Sequence, residues 1–321
     1  MKNIIILVPE GAVLASIADP QYLFSAANNL LKQSGGKDAF NVIIAGNKRK
    51  VTLLDGKFTI NTDCLISEVD KADLILIPAL SGDMKRSVEM NREFIPWIIS
   101  KYKEGSEVAS LCIGAFLLAS TGLMKGKQCS THWLYVNQFR AMFPDVDLVD
   151  EKIITEQNGL YSSGGANSYW NLLLYLLEKY TDRETAIMAS KFFVLDIARK
   201  SQSPFTIFHG QKDHGDEEVK KAQEYIENNY NDKLTVDRLS DLFGIGRRTF
   251  ERRFKKATNN TVVEYTQRVK VEAAKKELEL GRKKVNDVMY DVGYTDTKAF
   301  RDVFRKITGM SPIDYRNRYN R

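Results

Sequence analysis

A cysteine and a histidine stand where thiol chemistry is feasible. Cys112 follows the apolar run 108–111, and the small pair Gly114–Ala115 follows almost at once as a helix start. A strand that ends in a nucleophile and turns directly into a helix is a nucleophile-elbow pattern, and a helix N-terminus lowers the pKa of a thiol. His132 lies twenty residues further on and can form a catalytic dyad with Cys112 if the fold brings them together. The alternative is a buried structural cysteine and a packed histidine.

A second set of chemically capable residues is cationic and belongs to an internal repeat between Thr235 and Arg316. Residues fifty positions apart agree in type: Asp241 and Asp291, Phe250 and Phe300, Phe254 and Phe304, Lys256 and Lys306, Thr258 and Thr308. Each copy has a short apolar-periodic segment, a glycine-containing break and a second segment with helical periodicity. This pattern predicts two helix-turn-helix units.

The second segment of each copy has an apolar face and a polar face. In the first copy, Phe250, Phe254 and Ala257 share one side of a 3.6-residue helix, and the opposite side is cationic. Such a helix can pack on a core and enter the major groove of DNA. The alternative is a surface helix with solvated charges, which a second copy at a fixed offset disfavours. The candidate DNA contacts are Arg247, Arg248, Arg252 and Lys255 in the first copy, and Thr297, Lys298, Arg301, Asp302 and Arg305 in the second.

Charge distribution supports a nucleic-acid partner for this part of the chain. From Glu217 to Arg321 there are 24 Lys and Arg against 17 Asp and Glu, a net charge of +7. The whole chain of 321 residues has a net charge of +6, so the basic excess lies entirely in this part. A basic excess confined to one module is the footprint of nucleic-acid binding, although a solvated basic face would give the same total. The first recognition segment is expected to supply more of the affinity, because four arginines lie in it and two aspartates lie in or beside the second. These residues are Arg247, Arg248, Arg252 and Arg253, and Asp296 and Asp302.

The elements that would position Cys112 and His132 alternate between strands and helices. The apolar runs are Ile4–Val8, Val42–Ala45, Leu74–Pro78 and Val108–Cys112, and the helical patterns are Pro20–Leu31, Arg92–Tyr102, Gly114–Ser120 and Asn167–Glu178. This alternation predicts an α/β, flavodoxin-like parallel sheet with helices on both faces. Asn158–Gly159 predicts a hairpin turn near the end of the sheet. The C-terminal part is expected to be all-α, with a long helix Val262–Leu280 between the two helix-turn-helix units.

Composition excludes several classes of protein. No apolar run approaches the roughly 18 residues of a membrane span, and the run Ile4–Val8 is too short for a secretory signal. Cys64, Cys112 and Cys129 form no metal-ligand spacing, which favours a reducing cytoplasm. His209 and His214 lie in a polar stretch that is typical of a solvated linker, so neither a metal nor a cofactor is predicted. A helix over Glu184–Arg199 is expected before that linker.

The C-terminal repeat resembles the AraC/XylS family of transcription regulators. The residues that carry the resemblance are Gly293–Asp296, Ala299–Lys306 and Gly309–Arg316, with Arg247–Lys256 matching in the first copy. The resemblance implies a double helix-turn-helix unit that binds double-stranded promoter DNA. It places base contacts at Arg248 and Arg252 and at Lys298 and Asp302. An aspartate accepts hydrogen bonds only, so Asp302 departs from the basic or amide residue expected there.

The N-terminal part resembles the ThiJ/PfpI branch of the class I glutamine amidotransferase-like superfamily, in the version fused ahead of AraC-type domains. The cysteine elbow, Thr131–Trp133, Leu76–Pro78 and Tyr161–Gly165 carry this resemblance. Enzymatic members place a carboxylate beside the cysteine, and Ser16 stands at the equivalent position here. Ala79–Leu80 replaces the usual Gly-Gly. Both departures favour a retired active site that serves as an effector pocket formed by Pro9, Ser16, Cys112, Ile113, His132 and Trp133.

Together these patterns predict a transcription regulator with three segments. Residues 1–182 form a ligand-sensing domain, residues 183–216 a helix and linker, and residues 217–321 the DNA-binding domain. The expected partners are promoter DNA and a small effector derived from an amino acid or amine, with RNA polymerase as a further partner and no membrane. The resemblance implies a homodimer. The alternative function is a cysteine-dependent hydrolase or amidase with an accessory DNA-binding module, in which Cys112 and His132 would be catalytic.

Overall fold

The computed structural model describes residues 1–197 and 201–320. The chain divides into two compact units, Met1–Gln202 and Ser203–Arg321. The segment 183–216, predicted as a helix and linker, is therefore shared between the two units. Part of that prediction, residues 198–200, lies outside the described residues.

The first unit is built on a seven-stranded sheet in the order β10-β11-β7-β6-β1-β2-β5. In chain order the strands are β1 (Lys2–Leu7), β2 (Phe40–Gly46), β3 (Lys50–Leu53), β4 (Phe58–Asn61), β5 (Cys64–Leu65), β6 (Leu74–Ile77), β7 (Glu107–Ser110), β8 (Gln128–Cys129), β9 (Asp147–Leu148), β10 (Ile154–Gln157) and β11 (Leu160–Ser163). Neighbouring strands of this sheet are parallel except for the hairpin of β10 and β11. The parallel α/β sheet predicted from the sequence is confirmed.

Strands β1 and β6 are apolar throughout their central positions because both faces of the sheet are covered. Ile5 lies opposite Ile43 of β2 on one side and opposite Ile75 of β6 on the other. Ile4, Ile5 and Ile6 are completely buried. The carboxyl ends of β1, β6, β7 and β11 consequently meet at one edge of the sheet, which is where parallel α/β sheets place their ligand sites.

The helices of the first unit pack in two groups. They are α1 (Ala15–Gln33), α2 (Met84–Met90), α3 (Phe94–Lys103), α4 (Ala115–Ser120), α5 (Val136–Met142), α6 (Tyr169–Tyr180) and α7 (Arg183–Phe192). Helix α1 contacts α6 and α7, whereas α4 contacts α2 and α3. One continuous apolar core joins both groups to the sheet.

Two features of this unit differ from the sequence prediction. Helix α7 ends at Phe192 rather than continuing to Arg199, because Val194 takes a left-handed backbone conformation with φ of 54°. Arg199 itself lies outside the described residues. The antiparallel pair β3 and β4 was not predicted, and its turn passes through Leu54 and Asp55, both with positive φ.

The second unit consists of helices that belong to two small cores. They are α8 (Glu217–Asn228), α9 (Val236–Leu242), α10 (Arg247–Thr258), α11 (Val262–Leu280), α12 (Val285–Asp291), α13 (Thr297–Thr308) and α14 (Pro312–Tyr319). The first core includes Phe250 and Phe254 of α10, and the second includes Phe300 and Phe304 of α13. Helix α11 contributes Tyr265 to the first core and Leu278 to the second, so one helix is common to both.

The predicted bounds of α11 agree with the structure because both ends carry strong local signals. Thr261 accepts a hydrogen bond from the backbone N–H of Glu264, whose carboxylate accepts one from the Thr261 N–H. This reciprocal capping box begins the helix. Gly281 ends it in the left-handed conformation, with φ of 67°.

The stretch predicted as a solvated linker packs against the second unit instead. Phe208 contacts the first core of that unit, with its ring centroid 5.1 Å from that of Tyr265. His214 Nε2 lies 2.8 Å from Gln223 Oε1, and His214 Nδ1 accepts a hydrogen bond from the Asp216 N–H. Since apolar and hydrogen-bonded partners hold both residues, this stretch is part of the folded unit. Among the described residues, no helix has the length and apolar character needed to cross a membrane.

Candidate functional sites

Cys112 lies on a strained turn between β7 and α4. Its φ is 54°, a left-handed conformation that non-glycine residues seldom adopt. The next turn passes so close to β6 that a Cβ on Gly114 would lie 2.4 Å from the carbonyl oxygen of Pro78, which explains the glycine. The Cys112 N–H donates to Ser163 Oγ at the end of β11, at 2.9 Å. This is the backbone geometry of a nucleophile elbow.

The thiol on this turn is not activated. Cys112 is only 5% exposed, and burial raises the pKa of its thiol to about 12, although the Ile113 N–H acts in the opposite direction. The helix start therefore lowers this pKa, as the sequence suggests, but burial outweighs it, which agrees with the alternative of a buried structural cysteine. Withdrawal from water disfavours the thiolate more than one backbone donor favours it. At neutral pH Cys112 is a protonated thiol, which is a poor nucleophile.

His132 is half-buried and lies beside the Gly164–Gly165 turn rather than bonded to the cysteine. Its Nδ1 accepts a hydrogen bond from the Leu134 N–H at 3.1 Å, and burial lowers the pKa of the ring. A Cβ on Gly165 would lie 3.7 Å from Nε2. Among the described residues, no hydrogen bond joins His132 to the Cys112 thiol. The contact between the two segments is instead the hydroxyl of Thr131, which donates to the Cys112 carbonyl at 3.3 Å.

The other candidate effector residues lie at the same edge of the sheet, but most are buried. Pro9 follows β1 and is buried, and Ile113 is 7% exposed. Ser16 is fully buried, and its hydroxyl accepts from the Ala79 N–H and donates to the Val13 carbonyl. These bonds tie the start of α1 to the segment after β6. Trp133 is half-buried beside His132, with ring centroids 5.4 Å apart.

A carboxylate that the sequence analysis missed reaches this region from α1. Asp19, one turn after Ser16, accepts a hydrogen bond of 2.5 Å from the hydroxyl of Tyr169. Burial, the Asp19 carboxylate and the nearby Cys112 all raise the pKa of Tyr169. The carboxylate missing at Ser16 is thus present one turn later, although it bonds to a phenol rather than to the thiol. The two residues are 150 positions apart, so no local pattern could have revealed the pair.

The two recognition segments are α10 and α13, and they are built alike. Residues 251–260 and 301–310 have the same order of buried, intermediate and exposed positions. Thr258 and Thr308 both donate to the carbonyl four residues earlier, at Phe254 and Phe304, at 2.8 Å in each case. The repeat seen in the sequence is therefore a repeat in structure.

The candidate DNA contacts lie on the exposed faces of these helices. Arg248 and Arg252 of α10, and Lys298, Arg301, Asp302 and Arg305 of α13, are all exposed and form no ion pair with another described residue. Thr297 is half-buried at the start of α13. Lys255 is exposed, donates to the Asn259 carbonyl at 2.8 Å and lies 3.6 Å from the Glu264 carboxylate. An exposed helix face with unpaired cations suits phosphate and base contacts.

Two of the four arginines credited to the first recognition segment are already paired. Arg247 donates to both carboxylate oxygens of Asp237 in α9, at 3.0 and 3.1 Å. Arg253 donates to both oxygens of Asp216, at 2.9 and 2.6 Å. These pairs fix α10 within its unit and reduce the charge available for DNA. Asp296, which was expected to reduce the positive charge of the second segment, is the N-cap of α13 and accepts a hydrogen bond from the Ala299 N–H.

Both units resemble known protein families. Residues 4–179 match the DJ-1/PfpI family, and residues 239–318 match a helix-turn-helix domain. The chain is 25% identical over 275 residues to the HTH-type transcriptional regulator GbdR of Pseudomonas aeruginosa, covering 84% of this chain and 72% of that one. It is 21% identical over 262 residues to the regulator CdhR of the same species, covering 81% and 76%.

Solved structures show the same fold for the first unit. A transcriptional regulator of Vibrio parahaemolyticus superposes with a TM-score of 0.53 at 21% identity, covering 60% of this chain and 98% of that one. An AraC family regulator of Pseudomonas putida gives 0.51 at 17% identity, covering 60% and 100%. Both resemblances noted in the sequence are confirmed. The chain belongs to the DJ-1/PfpI family, in the form that joins the DJ-1/PfpI domain to a helix-turn-helix domain of the AraC type.

Proposed function

We propose that this protein is a sequence-specific DNA-binding transcription regulator whose DNA binding is controlled by a small molecule held in the first unit. The observation that carries this proposal is the pair α10 and α13, which repeat one another in burial and expose their cationic faces. The relatives GbdR and CdhR are HTH-type transcriptional regulators, which supports the same role here.

In this proposal the exposed cations of both helices contact promoter DNA. Arg248 and Arg252 have planar guanidinium groups, which suit bidentate recognition of guanine in the major groove. Lys298 and Arg301 serve the second segment, while Asp302 can only accept, for example from a cytosine amine. Helix α11, with 19 residues at 1.5 Å each, is about 28 Å long. That length is comparable with the roughly 34 Å of one DNA turn, so the segments can address successive major grooves.

The first unit acts as a sensor rather than an enzyme in this proposal. The protonated, buried Cys112 supports that choice, because acyl transfer by cysteine needs a thiolate. The effector would approach the edge of the sheet where Cys112, His132 and Trp133 lie, and an amino acid or amine derivative is the class of compound expected beside these polar and aromatic side chains. Control of DNA binding requires that the effector have unequal affinity for two states of the protein.

Further partners complete the proposed role. A homodimer would present two copies of the double helix-turn-helix unit to one promoter, and RNA polymerase would be the machinery that the bound regulator recruits or blocks. The three cysteines are all free, which suits action in the reducing cytoplasm.

The proposal is tested by selecting duplexes from a random pool with the full chain and measuring affinity for the selected sequence. We expect affinity for the selected duplex to exceed that for a scrambled duplex by about a thousandfold or more at physiological salt. A variant with Arg248→Ala and Arg252→Ala should lose that discrimination while keeping its fold. Equal affinity of the intact chain for both duplexes would overturn the proposal.

A further inference from the structure

The side chain of Gln202 is buried within the first unit, beside the candidate effector site. It is 1% exposed, which is unusual for a glutamine near the end of a folded unit. Its Nε2 donates to the Thr131 carbonyl at 3.0 Å and to the Asp150 carbonyl at 2.7 Å, while its Oε1 accepts from the Gly165 N–H at 2.8 Å. Both N–H groups of the side-chain amide therefore donate to backbone carbonyls, and its oxygen accepts a hydrogen bond from a backbone N–H.

These backbone groups form a niche that is selective for one kind of functional group. Two carbonyl oxygens face the position of an NH2 group, and one N–H faces the position of a carbonyl oxygen. A carboxylate would set an oxygen against two carbonyls, and an ammonium group would leave the Gly165 N–H without an acceptor. The group that fits is neutral and planar, with an oxygen and an NH2 on one carbon, which is a carbamoyl group.

The glycines of the turn after β11 make room for this group. A Cβ on Gly164 would lie 2.9 Å from Gln202 Cδ and Nε2, and a Cβ on Gly165 would lie 3.1 Å from Gln202 Oε1. The flat carboxamide consequently rests directly on the Gly164–Gly165 backbone, as a bound ligand would. The same Cβ on Gly165 would lie 3.6 Å from His132 Cδ2, so the niche adjoins the histidine.

The position of Gln202 in the chain gives the niche a connection to the second unit. Gln202 is the last residue of the first unit, and Ser203 begins the second. Because Gln202 is covalently attached to the protein, its carboxamide competes for the niche with any free carboxamide. Its effective concentration there is about a millimolar or more.

We propose that Thr131, Asp150 and Gly165 form a carbamoyl-binding site, that Gln202 occupies it as an internal ligand, and that a free carboxamide or ureido compound can take its place. Displacement releases the residue from which the helix-turn-helix unit continues. The inference rests on the proposed function only for this last consequence, since the niche itself is defined by the hydrogen bonds and glycine contacts of the first unit.

The test compares the full chain with its Gln202→Ala variant, using propionamide and L-glutamine as probes and propionate and L-glutamate as carboxylate controls. If Gln202 fills the niche about nine-tenths of the time, emptying it tightens amide binding about tenfold. Calorimetric titration should show this gain for both amides and for neither carboxylate. Gln21→Ala, at an exposed glutamine of α1, is the matched control and should bind as the parent chain does.

A second variant keeps the test decisive if Gln202→Ala folds poorly. Gln202→Glu places a carboxylate oxygen against the two carbonyls, so the side chain should leave the niche and amide binding should again increase. Equal binding of amides by the parent and both variants, or the same gain for carboxylates, would overturn the proposal. The proposed function is judged separately by the affinity of the parent chain for its selected duplex, which can fail while the niche binds carboxamides, or hold while it does not.

Discussion

Asp216 and Arg253 join the first turn of α8 to the recognition helix α10. The Asp216 carboxylate accepts from Arg253 Nε and Nη2 at 2.9 and 2.6 Å, and it also caps α8 by accepting from the Val219 N–H. One carboxylate therefore fixes both the start of a supporting helix and the rotation of the helix that is proposed to contact DNA. This pair explains why adjacent arginines in one cationic run have different roles.

Arg253→Ala should destabilise the second unit without changing sequence preference on DNA. The side chains are partly exposed, so we expect a loss of about 1 kcal/mol in the free energy of unfolding. Urea denaturation and hydrogen exchange of α8 measure the loss. Arg252→Ala, the exposed neighbour, is the control and should change stability by less than about 0.5 kcal/mol. A larger loss of stability in Arg252→Ala than in Arg253→Ala would show that Arg252, and not Arg253, has the structural role.

The same pair should make α8 acid-sensitive. The hydrogen bonds from Arg253 lower the pKa of Asp216 below its ordinary value. A carboxyl group with a depressed pKa in the folded state stabilises the protein above its unfolded pKa of about 4 and loses this contribution as the pH falls through the folded pKa. Hydrogen exchange of α8 should therefore accelerate below about pH 4 in the parent chain. In Arg253→Ala the pKa of folded Asp216 should lie closer to its unfolded value, so the acid-dependent acceleration should be smaller, and an unchanged profile would contradict the assignment.

Arg252→Ala and Lys255→Ala should weaken DNA binding in different ways. Arg252 is exposed without an ion pair among the described residues, so its loss should cost about 1–3 kcal/mol at one base position. Lys255, near the end of α10, should act on phosphate, so its loss should weaken binding to all sequences and reduce the salt slope by about 1. Titrations against single-base variants of the selected duplex at several salt concentrations separate the two. Sequence-independent losses from both would remove Arg252 from base recognition.

Cys112 should resist alkylation in the folded protein. With a pKa of about 12, its thiolate fraction at pH 8 is about a thousandth of that of a thiol with the ordinary value near 9. Iodoacetamide labelling followed by peptide mass spectrometry should modify Cys112 only after denaturation, and Cys112→Ser identifies the peptide. Rapid modification of folded Cys112 would revive the hydrolase alternative.

Phe254→Ala and Phe304→Ala should each unfold a different half of the second unit. Both side chains are fully buried, but in separate cores. Each truncation leaves a cavity, with an expected loss of about 3–5 kcal/mol. Hydrogen exchange should accelerate mainly in α8–α10 for the first variant and in α12–α14 for the second. Uniform acceleration in both variants would show that the two cores unfold as one.

The sequence predicted those parts of the fold that depend on local signals. The bounds of α11 follow from Thr261, Glu264 and Gly281, which are close in sequence to the ends that they define. The repeated phenylalanines likewise identified the inner faces of α10 and α13, because helical spacing alone determines which side chains share a face.

The rest depended on distant contacts. Burial raises the pKa of Cys112 by more than the Ile113 N–H at the helix start lowers it, and the extent of that burial could not be read from the motif. Tyr169 bonds to Asp19 across 150 residues, and Gln202 bonds to Thr131 across 71. Neither pair follows from a motif, since each requires the completed sheet to bring its members together.

Because α11 belongs to both cores, its length fixes the distance between them and its helical twist fixes their relative rotation. Val269 belongs to the first core and Val271 to the second, so Lys270 marks the division between them. One residue inserted there would advance the second core by 1.5 Å and rotate it by about 100°. If α10 and α13 contact DNA as proposed, the number of residues in α11 sets both the distance and the rotation between the two contacted sites, so a change in promoter spacing must be matched by twisting of the DNA.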